Sequence, residues 1–332
     1  MLSRRGFLGT VSASVFVVPL AARAQQVDRI RRVGLLVPFA ESDLEAQTQI
    51  AAFLDALRTL GWTEGRNVRI DYRWAARDAA RIRASARELV ALQPDVILAR
   101  TTPVTAALQN ETRTIPIVFV VVSDPVGDGL VASVARPGGN VTGFTNVDAS
   151  LGGKWLQLLK EIAPRTRRVA FMFDPRLAPG GGAFYRRLIE DGAPSIGVQV
   201  VETAVQDAAD IKRAIEGFAR EPNGGLVVLP DVTTVNHRRA TIGLAAHHRL
   251  PAIYPTDYFI KEGGLISYGA DYLDLYRKSA SYVDRILRGA KPVDLPVQGP
   301  LKFQLAINLG AAKALGLTIP PALLLQADQV IE

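Results

Sequence analysis

The sequence predicts an α/β protein made of two doubly wound parallel-sheet lobes. Three observations carry this. Short, nearly continuous Val/Ile/Leu runs alternate with stretches of helical spacing, the pattern of parallel strands covered by helices on both faces. The alternation pauses at Gly138, Gly139 and Gly143 and then restarts. The chain has 332 residues, 48% hydrophobic and 21% charged, enough to close a core in each of two lobes without covalent staples.

The elements follow in order. Residues 31–37 (RRVGLLV) form a strand ending at Pro38, and Ile50, Phe53, Leu54 and Leu57 set a helix over 44–60, stopped by Gly61. A strand over 68–74, a helix over 79–92, a buried strand over 96–99, a helix over 103–112 and a buried strand over 117–122 complete the first half. In the second half, helices over 151–162, 182–196, 208–220 and 234–248 alternate with strands over 168–173, 198–203, 226–229, near Ile253 and over 265–268. A helix over 272–288 ends at Gly289. Pro292, Pro296 and Pro300 then mark an extended segment before Phe303.

Composition narrows the chemistry. There is no cysteine, which excludes disulfides, thiol nucleophiles and thiolate metal sites and is compatible with an oxidising compartment. The net charge is +7, but Arg4, Arg5 and Arg23 supply three of those charges within the first 24 residues, leaving +4 spread through mixed-sign segments. Nucleic acid is therefore not an expected partner.

Those 24 residues read as an export signal. Arg4 and Arg5 followed by Phe7 and Leu8 fit the twin-arginine form, and Ala22-Arg23-Ala24 is a small-x-small cleavage site. Only 17 residues separate Arg5 from Arg23, fewer than the roughly 20 apolar residues of a membrane span. The expectation is cleavage near Ala24 and a mature chain, not itself transmembrane, free in the periplasm from about Gln25.

Ligands of doubly wound sheets sit beyond the carboxyl ends of the strands, so the loops there hold the candidate site. After the first strand, Ser42 or Asp43 can cap the next helix or leave its amides open to an anion. Thr101-Thr102-Pro103 places Pro103 at a first helical position and Thr102 at the cap, where hydroxyls and free amides suit a carboxylate. Ser123 and Asp124 open a turn after the fourth strand, and Asp124 is the foremost single candidate. In the second half Asp174, Asp231 and Tyr254 take corresponding places, each Asp beside a proline, with turn formation as the alternative role. No GxSxG, HExxH, P-loop or GxGxxG motif is present. His247 and His248 diverge by about 100° on a helix and make a poor metal pair. No cofactor and no metal is expected.

RRVGLLVPFAESD, LGWTEGRNVRIDYRW, TTPVTAAL, IVFVVVSDPVGDGLVASVARPGGNVTG, GGKWLQLLKEIAP and HRLPAIYP together resemble the ABC-transporter substrate-binding proteins of the TrpX-like group. The resemblance covers essentially the whole mature chain, and SDPVGDGLV followed by ARPGGNVTG is its most specific stretch. It implies the type I periplasmic binding protein fold, two α/β lobes joined by a three-crossing hinge, some relatives binding aromatic amino acids. By that resemblance residues 27–145 with about 270–291 form the first lobe and 146–269 with about 296–332 the second. The crossings fall near 143–147, 269–271 and 292–300. By loop position the resemblance also implies ligand contacts at Ser42, Thr101, Thr102, Ser123, Asp124, Asn146, Asp174, Asp231, Tyr254 and Asp271.

The expected function is capture of a small polar solute, an amino acid or aromatic acid, by a monomer that delivers it to the membrane permease of an ABC importer. A sensor component is one alternative. An α/β enzyme using Asp124 and Asp231 as paired carboxylates is another, and the missing catalytic motifs count against it.

Overall fold

The computed structural model describes residues 29–76 and 78–332, so the export signal lies outside the described residues. The first lobe starts with β1 (Arg31–Val37), α1 (Leu44–Thr59), β2 (Val68–Trp74), α2 (Ala79–Ala91), β3 (Val96–Arg100), α3 (Thr102–Glu111), β4 (Ile117–Val122) and β5 (Val141–Thr145). Its five strands pair in parallel in the order β2-β1-β3-β4-β5. The chain passes to the second lobe with α4 (Leu151–Ile162), β6 (Arg168–Phe173), α5 (Ala183–Ile196), β7 (Gln199–Ala204), α6 (Ala208–Phe218), β8 (Gly224–Val228), α7 (Val232–Asn236), α8 (Arg238–His247), β9 (Ala252–Tyr254), α9 (Asp257–Lys261) and β10 (Ile266–Ala270). Helix α10 (Tyr272–Leu287) returns to the first lobe, where Leu275, Tyr276, Val283 and Leu287 pack with Ile50, Phe53 and Leu57 of α1. The last elements, β11 (Phe303–Asn308), α11 (Leu309–Ala314), α12 (Pro321–Leu324) and β12 (Gln329–Ile331), belong to the second.

The second sheet has seven strands in the order β12-β11-β10-β9-β8-β6-β7. It is not wholly parallel: β11 runs antiparallel to β10, because the chain re-enters after crossing from the first lobe. Each sheet is lined on both faces by apolar clusters, one pair built around Phe53 and Phe119, the other around Trp155 and Phe259. Buried on both faces, β3, β4 and β8 have no polar face to alternate with.

Three expectations need correction. The helix predicted over 234–248 is two helices, with His237 breaking the ladder between α7 and α8. Residues 296–298, assigned to the second lobe, sit with the first: Val297 is in its core, and the Gln298 amide donates to the Gly143 carbonyl at 3.0 Å. Thr102 is the first residue of α3, not its cap. The cap is Thr101, whose φ of 76° prevents the usual side-chain bond.

The crossings are tied to one another. Thr145 N–H donates to the Gln298 carbonyl at 2.9 Å, Thr142 Oγ1 to the Leu295 carbonyl at 2.5 Å, and Asp271 N–H to the Lys302 carbonyl at 3.0 Å. Gly143, at φ 154°, lies against the Phe119 backbone, where a Cβ has no room. That close approach seats β5 on β4 where the first crossing begins. Among the described residues no helix is long and apolar enough to cross a membrane.

Candidate functional site

In each sheet the strand order reverses once, between β1 and β3 in the first lobe and between β6 and β8 in the second. A crevice opens at such a reversal, because the neighbouring connections leave toward opposite faces. The two crevices face each other. Between them lies a cavity holding about 550 Å³ of empty space, of which about 50 Å³ admits the centre of a water molecule. Phe39 follows β1, Arg100 ends β3 and Thr101–Pro103 follow that strand. Leu177–Pro179 follow β6, and Pro230–Val232 follow β8; all line it.

The walls are aromatic. Phe39, Tyr185 of α5, Tyr258 of α9 and Tyr272 of α10 surround the space. Burial pushes the phenols of all three tyrosines up, so they are neutral hydroxyls. A chain of hydrogen bonds runs beside the cavity and joins the lobes. Asn146 Nδ2 donates to the Tyr272 hydroxyl at 3.4 Å, Ser123 Oγ donates to Asn146 Oδ1 at 3.1 Å, and Tyr185 lies 2.7 Å from Ser123 Oγ. Either hydroxyl can donate in the Ser123–Tyr185 bond, and the Tyr185 hydroxyl also reaches the Pro230 carbonyl at 3.4 Å.

On the first-lobe side the backbone is strained where it meets the cavity. Thr101 has φ 76° and Val121 φ 60°, left-handed values unfavourable for β-branched residues, and the β4–β5 register slips between Val120 and Val122. Arg100 ends β3 and is only 4% exposed, with its guanidinium 4.2 Å from the centre of the Phe39 ring. Its Nε and the neighbouring Thr101 Oγ1 are buried without hydrogen-bond partners among the described residues.

On the second-lobe side the acids are engaged. Asp231 Oδ1 accepts the Thr234 amide at 2.8 Å and its Oδ2 the Asp174 amide at 3.0 Å, the first bond forming a capping box at α7. Burial nevertheless pushes its carboxyl up to about 7, since no cation is paired with it among the described residues. Asp174 is fully buried but held below the usual range. Burial acts to raise it, and bonds from Arg176 and Thr233 outweigh that. Asp128 faces the Thr102 side chain and the Gly180 amide across the cleft, its carboxyl pushed up to about 6 by burial and then by Asp124.

Of the ten residues inferred from the sequence, Thr101, Thr102, Ser123 and Asp231 line the cavity. Asn146 supports it through Ser123 and Tyr272. The other five lie elsewhere. Ser42 lines the wider cleft mouth, with about 1480 Å³ of empty space, and Asp271 caps α10 beside a separate gap with about 670 Å³. Asp174 sits behind Asp231. Tyr254, 1% exposed, stacks on Phe259 in the second-lobe core, 4.9 Å between ring centres. Asp124, the foremost candidate, closes its own turn by accepting the Gly127 amide at 2.9 Å and does not line the cavity, so no Asp124–Asp231 pair forms there. The sequence reading missed Arg100 and, among the aromatic walls, Phe39, Tyr185 and Tyr272. Arg100 had a signal, a charge closing the otherwise apolar VILAR strand; the tyrosines lie on helices, where a search of loops does not reach.

Two facing doubly wound sheets, a cavity at both reversals and three bonded crossings beside it define a two-lobed solute-binding protein of the periplasmic type. The chain belongs to the ABC transporter substrate binding protein family, whose sequence model matches residues 33–331. A curated relative, a tyrosine-binding protein from Clostridioides difficile (strain R20291), is 28% identical over 266 residues, 79% of this chain and 75% of its own. The crystal structure of a conserved domain protein from Vibrio cholerae is 30% identical, with a TM-score of 0.84 over 91% of this chain and 100% of that one. An ABC domain from Streptococcus pneumonia in complex with L-Trp is 24% identical, with a TM-score of 0.83 over 91% of this chain and 99% of that one, a likeness of fold.

Proposed function

We propose that this protein captures an α-amino acid with an aromatic side chain between its lobes and, closed, presents it to the permease of an ABC importer. The observation that carries the reading is the cavity itself: flat aromatic walls for a ring, and on one side Asp231, a buried carboxylate without a cation among the described residues. An ammonium group supplies that cation. The tyrosine-binding relative supports the same class.

The rest of the reading follows from this role. Residues 29–145 with 270–298 move as one lobe and 146–269 with 299–332 as the other, rotating about the bonded crossings. The protein binds without turnover, works as a monomer in the periplasm, and arrives there through its twin-arginine signal. The cavity needs no metal or cofactor to hold such a solute.

The test is native mass spectrometry of protein purified without denaturation, with a thermal-shift panel of amino acids, aromatic acids and sugars. An aromatic amino acid at 100 times its Kd should add about 2.7 kcal/mol of stability. Stabilisation by a sugar and by no amino acid would sink the reading.

A further inference from the structure

Among the described residues, three other arginines with little exposure, on β1, β6 and α8, each have a carboxylate partner. Arg32 pairs with Asp71 at 2.6 Å, Arg168 with Glu221 at 3.1 Å, and Arg238 with Glu262 at 2.6 Å. Arg100 is more buried than a surface ion pair requires, and among the described residues it has neither an ion pair nor a side-chain hydrogen bond. Asp43 and Glu45 line an adjoining gap with it, where Glu45 is met by Lys261 at 4.0 Å. Phe39 offers its ring face, which attracts the cation but leaves the buried Nε without an acceptor among the described residues. The hydroxyls whose ionisation Arg100 influences, those of Tyr258, Tyr272 and Tyr276, are neutral.

A guanidinium withdrawn from water without an anion is costly to keep, and its planar fork matches a carboxylate. Thr101 Oγ1, also buried and unpartnered, stands on the next residue, and both line the cavity at the start of α3. We propose that Arg100, with Thr101 Oγ1, anchors a carboxylate of the bound solute and selects carboxylates over the corresponding amines. This rests on the cavity being the solute site. It extends that reading by fixing the ligand's orientation: carboxylate toward the first lobe, ammonium toward Asp231 of the second.

The experiment compares wild type, Arg100→Lys and Arg100→Met by calorimetric titration with L-tyrosine, L-tryptophan, 3-(4-hydroxyphenyl)propionate, tyramine and tryptamine, and by melting without ligand. Wild type should bind the carboxylate probes at least a hundredfold more tightly than the amines. Arg100→Met should erase that preference, and Arg100→Lys should restore part of it. Ligand-free Arg100→Met should melt no lower than wild type, because an unpaired buried charge has been removed. Equal wild-type affinity for L-tyrosine and tyramine, or carboxylate binding by Arg100→Met within threefold of wild type, overturns the proposal. Binding of the propionate but not the amines upholds Arg100 while removing the ammonium half of the reading. If wild type binds no probe, the aromatic amino-acid reading fails, and the melting comparison still decides Arg100: a fall of several degrees in Arg100→Met makes it structural and overturns the proposal.

Discussion

The two lobes meet the cavity in opposite states of completion. In the first, Arg100 Nε and Thr101 Oγ1 are buried without partners among the described residues, on a backbone bent into left-handed φ at Thr101 and Val121. In the second, Asp231 and Asp174 present carboxylates already bound by the Thr234 and Asp174 amides and by Arg176 and Thr233. Both lobes have the same strand-to-helix architecture at the site, so the difference lies in the side chains placed there. Polar residues of the first lobe should matter to binding and little to stability, and those of the second should matter to both.

The largest effect that can break this contrast is at Asp174. Replacing it with Ala removes the acceptor for Thr233 and Arg176 beneath the cavity, and charged hydrogen bonds of this kind are worth about 1.5–3 kcal/mol each, so the loss should reach about 2–4 kcal/mol in urea unfolding. A loss below about 1 kcal/mol would remove the distinction between the lobes.

Asp231→Asn comes next. Asn caps helices as well as Asp does, so the fold should survive with a modest loss where the Asp174 amide loses its acceptor. Affinity for an amino acid should fall roughly ten- to a hundredfold. Because the Asp231 carboxyl is raised to about 7, the folded ligand-free protein keeps a proton between about pH 4 and 7 that the unfolded chain has lost. Its contribution to stability is thus greatest at low pH and declines as pH rises toward 7. Affinity for an ammonium ligand should run the other way, rising about tenfold from pH 6 to 8. Titration across that range, flat in Asp231→Asn, checks the sign.

Thr101→Gly sharpens the comparison from the other side. Relief of the left-handed φ should stabilise the ligand-free protein by about 1 kcal/mol while weakening binding several-fold through the missing hydroxyl. A destabilised Thr101→Gly would show that the strain estimate is wrong. The smallest expected effect is Tyr185→Phe. It breaks one hydrogen bond between the lobes, worth about 1 kcal/mol, so affinity should fall about fivefold with unfolding nearly unchanged.

Much of the sheet architecture was legible because strands such as Val96–Arg100 and Ile117–Val122 are buried on both faces and must be apolar throughout. Thr101, Thr102, Ser123 and Asp231, which the loop rule singles out, line the cavity because they follow β3, β4 and β8. The rule over-counted acids. An Asp at a helix start bonds the local amides first, as Asp43, Asp78, Asp207 and Asp271 all do. What it missed depends on tertiary placement: Tyr185 and Tyr272 reach the cavity from helices separated widely in sequence. The antiparallel β11 was hidden for a related reason, because strand direction depends on the path of the third crossing and leaves no mark on periodicity.

The tryptophans of this chain also bear on how it can be watched. None of the three, Trp62, Trp74 and Trp155, lines the cavity. Trp155, buried in the second lobe, donates its indole N–H at 2.7 Å to the carbonyl of Tyr268, just ahead of the second crossing, and Trp62 donates to Asp284 on the helix that crossing feeds. Selectively excited indole emission that changes when tyrosine is added would therefore register rearrangement of the chain around the second crossing, without direct quenching by the solute. The protein carries an intrinsic optical gauge placed beside the second crossing and clear of the cavity.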